Sequence, residues 1–265
     1  MTRFADDTAV TSLGGGRYAA RIDRGWWIER GPNGGYLAAI VLRALIAEVA
    51  DDDRRPRTVT FHYLRPPVEG ACEVEVLIER AGRGLTTASA RLRQDGRDCV
   101  LALAALGADR HGPELRHHPA PGVPPPLDVP PRPEPDPERH RIPIHDRYEV
   151  RRAIGPLPFT GGEEALTGGW IRTTDHDAVD DVLVAALTDA WIPAVFSCLD
   201  LPVGVPTVEL TVHLRGRPSH EPGWCLVRFT TLEAVDGYME ETGEVWSEDG
   251  RLLAESRQLA VLLAP

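Results

Sequence analysis

At 265 residues the chain is long enough for two modest domains and a sizeable buried core. Its 40 acidic residues against 29 basic ones give a net charge of −11, the wrong sign for a nucleic-acid binder. Every basic residue is Arg, so Schiff-base chemistry, a pyridoxal-phosphate linkage and a Lys-bearing phosphate loop are excluded.

The chain opens without a charged-then-apolar leader. Gly14-Gly-Gly-Arg-Tyr-Ala19 matches a dinucleotide fingerprint by letters, but it lacks the preceding strand and the βαβ unit that the mechanism needs. A strand is expected near Arg17–Trp27, then a turn at Gly31-Pro-Asn-Gly-Gly35. A helix follows from Gly34–Tyr36, with Leu37, Ile40, Val41, Ala44, Leu45 and Val49 at helical spacing. Four strands come next, 57–65, 71–81, 84–94 and 97–107, separated by Pro66-Pro67 and an Asp95-Gly96 turn.

Residues 108–145 hold half of the chain's 24 prolines and almost no large apolar side chains, so they read as an extended linker. His117, His118, His140 and His145 fall there and read as solvated loop histidines, not as a metal site. The second half starts with a strand near Gly169–Thr174. Acid-rich Thr173–Asp181 fits a helix cap and first turn, with calcium binding as the weaker reading. The apolar run Val182–Cys198 predicts a second long helix. Asp189 in its middle and Pro193 after it argue for a buried soluble helix over a membrane span. Strands are expected at 205–215, 223–235, 238–247 and 251–263. Cys72, Cys99, Cys198 and Cys225 show no CxxC spacing and fit buried free thiols in a reducing cytoplasm.

The two halves repeat each other. Thr58–Arg65 and Val208–Arg215 align with Leu64-Arg65 and Leu214-Arg215 in register, about 150 residues apart. Each copy follows an apolar helical run and leads to an acidic turn, Asp95-Gly-Arg97 or Asp249-Gly-Arg251, and one more strand. Two copies of this size indicate domain duplication: 1–107, a linker 108–145, and 146–265. One apolar helix followed by antiparallel strands, twice, predicts an α+β double hotdog, each helix wrapped by a curved sheet.

Asp189 is the only charge between Val182 and Phe196. A buried carboxylate needs hydrogen-bond partners or titrates high. Gln258 shares a strand face with Leu252, Ala254, Ala260 and Leu262, so it also points inward. Thr207 opens the first long strand of this half. Under the repeat, Thr207 falls on Arg57 and Gln258 on Ala104, and the first helix carries no carboxylate before Glu48. Residues that only maintain the fold should recur in both copies. This set does not, which points to function and to one site per chain.

In these residues the sequence resembles the double-hotdog acyl-CoA thioesterases, in particular the bacterial thioesterase II type. Gly34-Gly35 resembles that family's Gly-Gly at the helix start, and Phe61-His-Tyr-Leu-Arg-Pro66 its aromatic-Leu-Arg-Pro strand end. Asp189, Thr207 and Gln258 fall where the family places its catalytic Asp, Thr and Gln. The resemblance implies thioester hydrolysis of acyl-CoA or acyl-carrier substrates by water, with Asp189 as general base and Thr207 and Gln258 holding the water. Gly34, Gly35 and Tyr36 would line the substrate, with a backbone N–H of Gly35 or Tyr36 on the thioester carbonyl. Arg65 or Arg215 could meet the CoA phosphates. No cofactor, metal, nucleic acid or membrane span is expected; the location expected is cytoplasmic, and a homo-oligomer is left open. The alternatives are a non-catalytic acyl-CoA-binding or accessory protein on the same fold, and a hydratase or dehydratase. The last fits less well, because neither His62 nor His213 stands close to an Asp in sequence.

Overall fold

Asn33 starts the first long helix: its side chain accepts from the Tyr36 N–H at 3.0 Å, and Ala50 ends the helix in the left-handed region at φ 47°. The chain, here as a computed structural model, is described over residues 2–133 and 141–263. Its first half runs α1 (Arg3–Asp7), β1 (Thr11–Gly14), β2 (Arg17–Ile22), α2 (Gly34–Val49), β3 (Arg55–Tyr63), β4 (Gly70–Ala81), β5 (Leu85–Gln94) and β6 (Arg97–Gly107). The second half runs β7 (Tyr148–Ile154), β8 (Leu166–Thr173), α3 (Asp181–Leu187), β9 (Thr207–Leu214), β10 (Cys225–Thr230), β11 (Ala234–Val235), β12 (Tyr238–Ser247) and β13 (Leu252–Val261). Gly14, Gly15 and Gly16, all at positive φ, turn β1 into β2, so the glycine run is a hairpin and not a nucleotide loop.

The strands form one antiparallel sheet in the order β1-β2-β4-β5-β6-β3-β9-β13-β12-β10-β8-β7, with β11 beside β12. This order reads the same from either end when each strand is exchanged for its repeat equivalent. The seam confirms the duplication residue by residue. Thr60 faces Thr211, the equivalent of Phe61, and Phe61 faces Leu210, the equivalent of Thr60. A local twofold therefore passes between these pairs, and the Thr60 and Thr211 hydroxyls bond across it at 2.8 Å. The α+β double hotdog holds.

Both helices lie inside the sheet. From Gly35 to Leu42, and again at Ala44 and Leu45, α2 is buried, so a helix apolar on nearly every side is met by β3–β6 on one flank and α3 on the other. The second helix departs from the sequence expectation. It ends at Leu187, and only a 3-10 turn, Ala194–Ser197, continues it. The Thr188 hydroxyl bonds back to the Ala185 carbonyl at 2.7 Å, the Asp189 N–H reaches Ala186, and Pro193 cannot donate to a further turn. Asp189 therefore stands in the tight turn after the helix, not in its middle.

Asp180 caps α3 by accepting from the Leu183 N–H at 2.7 Å. Asp181 is held by a fork of two bonds from Arg55, 2.6 and 3.1 Å long, which ties the start of β3 to the start of α3. Arg55 also reaches the carbonyls of Arg215 and Gly216, so this nearly buried guanidinium fastens one half to the other. Two strands, β1 and β7, were not expected from the sequence.

The proline-rich stretch contributes more than a tether. Val129 is buried with Trp170, Trp224, Leu226 and Trp246, and the Trp170 indole donates to the Pro124 carbonyl at 2.8 Å. His118 stacks on Trp246 and bonds Glu244 at 2.5 Å, while burial holds His145 down at about 4. His140 lies outside the described residues. All four cysteines are free, Cys72, Cys99 and Cys225 being buried. Among the described residues no helix is long and apolar enough to cross a membrane, and no cluster of His, Cys, Asp and Glu fits a metal ion.

Candidate active site

The turn after α3 brings Asp189 onto the start of α2. Its Oδ2 accepts from the Gly35 N–H at 2.9 Å and from Asn33 Nδ2 at 3.1 Å. The same Asn33 nitrogen donates to the Asp189 carbonyl at 2.7 Å. Asn33 thus has two roles: its oxygen caps α2 and its nitrogen holds the carboxylate supplied by the other half. Desolvation pushes the Asp189 carboxyl up to about 6; the bonds from Gly35, Gly34 and Asn33 only partly offset it.

Gly34 and Gly35 are needed for this approach. A Cβ on Gly34 would lie 2.8 Å from Asp189 Oδ2, and one on Gly35 would lie 2.3 Å from the Ala186 carbonyl oxygen. The resemblance implies that these glycines line the substrate; the groups they admit in the structure are the Asp189 carboxylate and the second helix. The expected carbonyl donors also have partners, Gly35 N–H on Asp189 and Tyr36 N–H on Asn33. The Tyr36 hydroxyl is committed to the backbone of Asp7, Arg21 and Asp23. Gly35→Ala should destabilise the chain by at least about 1–3 kcal/mol, because backbone must move to make room. Denaturant titration checks this; an unchanged midpoint would mean that the helices pack less closely than described.

Thr207 and Gln258 meet on neighbouring strands. The Thr207 hydroxyl points at Gln258 Oε1 at 3.4 Å, a long bond, and Gln258 Nε2 donates to Glu241 Oε1 at 2.9 Å. Glu241 and Gln258 are direct cross-strand partners on β12 and β13, and both are buried. The other Glu241 oxygen accepts from the Ala194 N–H at 2.5 Å, just beyond the Asp189 turn. Desolvation first, then the nearby Asp189 charge, pushes Glu241 up to about 8. Thr207, Gln258 and Glu241 therefore form one chain, and Asp189 stands near enough for Glu241 to feel its charge. Tyr63 closes the first-half side, its hydroxyl on the Gly34 carbonyl at 2.9 Å. Burial, and then the charges of Asp189 and Glu209, raise its phenol. Of the two candidate phosphate contacts, Arg215 is paired with Glu255 at 2.7 Å and Arg65 is exposed, two residues beyond Tyr63.

Sequence reasoning missed Asn33, Tyr63 and Glu241. Asn before Gly-Gly and an apolar run is a helix-cap signal. Glu241 stands at strand spacing from Met239, Gly243 and Val245, the same period-two signal that marked Gln258.

Family models place this chain among known proteins. Residues 23–107 match an acyl-CoA thioesterase N-terminal domain and residues 126–262 an acyl-CoA thioesterase C-terminal domain. An uncharacterised protein of Mycobacterium tuberculosis is 27% identical over 93% of this chain and 91% of its own length. Among solved structures, a hotdog protein of unknown function from Alicyclobacillus acidocaldarius is 30% identical, covers 100% of this chain and 99% of its own, and superposes with a TM-score of 0.89. A protein described as a candidate thioesterase II from Thermobifida fusca is also 30% identical, with coverage of 100% and 98% and a TM-score of 0.85. An acyl-CoA thioesterase II from Mycobacterium marinum shares the fold at 19% identity, 99% and 98% coverage and a TM-score of 0.78.

Proposed function

Because this chain belongs to the acyl-CoA thioesterase family, we propose that it hydrolyses acyl-CoA thioesters, with Asp189 as general base and Thr207 and Gln258 holding the water. The observation that carries this reading is the placement of Asp189. One carboxylate oxygen is fastened to the helix start of the other half, and the carboxyl titrates near the pH where a base works well.

In this reading the second Asp189 oxygen takes a proton from water as the water oxygen attacks the thioester carbon. The carbonyl π electrons move to oxygen, and the positive end of the α2 dipole, at Gly34, Gly35 and Tyr36, faces the charge that develops. The carbonyl reforms as the C–S bond breaks, and the proton held by Asp189 passes to the departing sulfur. The products are a carboxylic acid and free CoA thiol. Thr207 and Gln258 restrict the water to one approach, which removes part of the entropic barrier.

The test is thiol release across a series of acyl-CoA chain lengths. Wild-type protein should release CoA. Gln258→Ala should lose about 10- to 100-fold in kcat, the value of a hydrogen bond or two to the reacting water. A non-hydrolysable acyl-CoA should saturate at a single site per chain, since only the second half carries the polar set. A wild type that binds acyl-CoA and releases no thiol at any chain length or pH would overturn hydrolysis in favour of acyl-CoA binding.

A further inference from the structure

The sequence resemblance assigns no role to Glu241. We infer that Glu241 is a positioning residue: it fixes which end of the Gln258 amide faces Thr207. The inference rests on the thioesterase reading for its catalytic consequence, not for its geometry.

A carboxamide has a donor end and an acceptor end, and turning it over exchanges them. Nothing in the outline of the Gln258 side chain chooses between the two. Glu241 does. Its two oxygens face two donors, the Ala194 N–H and Gln258 Nε2, so as a carboxylate it can only accept. The Gln258 nitrogen is thereby drawn to Glu241, and Gln258 Oε1 is left toward the Thr207 hydroxyl. A water between Thr207 and Gln258 then finds an acceptor on Gln258 for one of its protons, which helps to orient it for attack. The Ala194 bond joins this grip to the segment that carries Asp189, so the base and the water holder share one support.

The charges that act on Glu241 are Asp189 and the adjacent Glu240, which points to the other face of the strand and is paired with Arg257 at 3.2 Å. Both oppose ionisation, in the same direction as burial. When Glu241 is protonated it must donate through one oxygen. Ala194 offers only an N–H, so the partner that can accept is Gln258, turned over. Ionisation of Glu241 should therefore restore the acceptor toward Thr207, and turnover should show a second rise near the Glu241 ionisation at about 8.

The experiment is Glu241→Gln, which keeps volume and shape. The new amide must give its oxygen to Ala194 and its NH2 to Gln258, so Gln258 turns permanently. Expected are a kcat about 10- to 100-fold lower above pH 8, KM within about twofold, and loss of the upper rise in the pH profile. The exchanged pair Glu241→Gln with Gln258→Glu puts an acceptor back toward Thr207 and should recover part of kcat. Melting curves identify a variant that fails through misfolding, and the exchanged pair then decides. The side-chain amide resonances of Gln258, assigned with Gln258→Ala, supply a readout independent of turnover: they should shift in Glu241→Gln. Unmoved resonances, or a wild-type kcat and pH profile in Glu241→Gln, overturn the inference. If wild-type protein hydrolyses nothing, the thioesterase reading fails and the resonances alone decide the amide's orientation.

Discussion

Asp189→Asn is expected to lower thioester hydrolysis by about 10²–10⁴ and leave the chain folded. The amide oxygen can still accept from the Gly35 N–H, so the contact between the halves survives, but the group no longer takes a proton from water. Because desolvation sets the wild-type carboxyl at about 6, turnover should rise with pH through that value in wild type and not in the variant. Stability should move the opposite way. The folded carboxyl titrates above the roughly 3.9 of an unfolded Asp, so ionisation costs more in the fold. Wild type then loses stability as pH rises from about 4 to 6, a loss that the variant avoids. Above pH 6 the variant should melt no lower than wild type, and the two melting curves should converge in acid. A pH–rate profile beside thermal melts checks both halves of the expectation; full turnover in Asp189→Asn would end the general-base mechanism.

Arg55→Ala should be the most damaging change to stability. It leaves the Asp181 carboxylate, nearly buried at the start of α3, without its two-pronged partner, and it orphans the carbonyls of Arg215 and Gly216. Breaking one side of such a pair costs about 3–5 kcal/mol, since the remaining charge stays desolvated. Replacing both residues together, Arg55→Met with Asp181→Leu, should cost much less, because no isolated charge remains. Urea denaturation of the single and double variants measures the difference. A loss under about 1 kcal/mol in Arg55→Ala would show that water reaches Asp181 freely. As α3 leads directly into the Asp189 turn, the single variant should also lose turnover.

The sequence made the repeat legible because hydrophobic alternation and turn chemistry are local, and both are written twice. Ten of the strands follow from them, and the two-residue β11 falls at the end of the segment expected for β10. The short outer strands β1 and β7 were hidden: β1 is exposed throughout, and β7 shows no alternation of buried and exposed residues. The length of α3 was misread because hydrophobicity alone does not separate a helix from a buried turn. Thr188 and Pro193 carried the stop signal within an apolar run. Asp189 and Gln258 were visible as polar residues on apolar faces. Their partners were not, because Asn33 meets Asp189 across 156 positions of sequence, and nothing local predicts that contact.

The seam between β3 and β9 also bears on synthesis. During translation the first half emerges complete to Gly107 while β9, from Thr207 on, is still unmade. Through that interval β3 presents an unpaired edge carrying Val59 and Phe61, both destined for full burial. The missing neighbour is the repeat equivalent of β3, so the strand that can stand in for it in a crowded polysome is β3 of an adjacent nascent chain. Chain order thus sets a race between completing the second half and pairing in trans, and fast elongation or chaperone cover over residues 55–63 favours pairing within one chain.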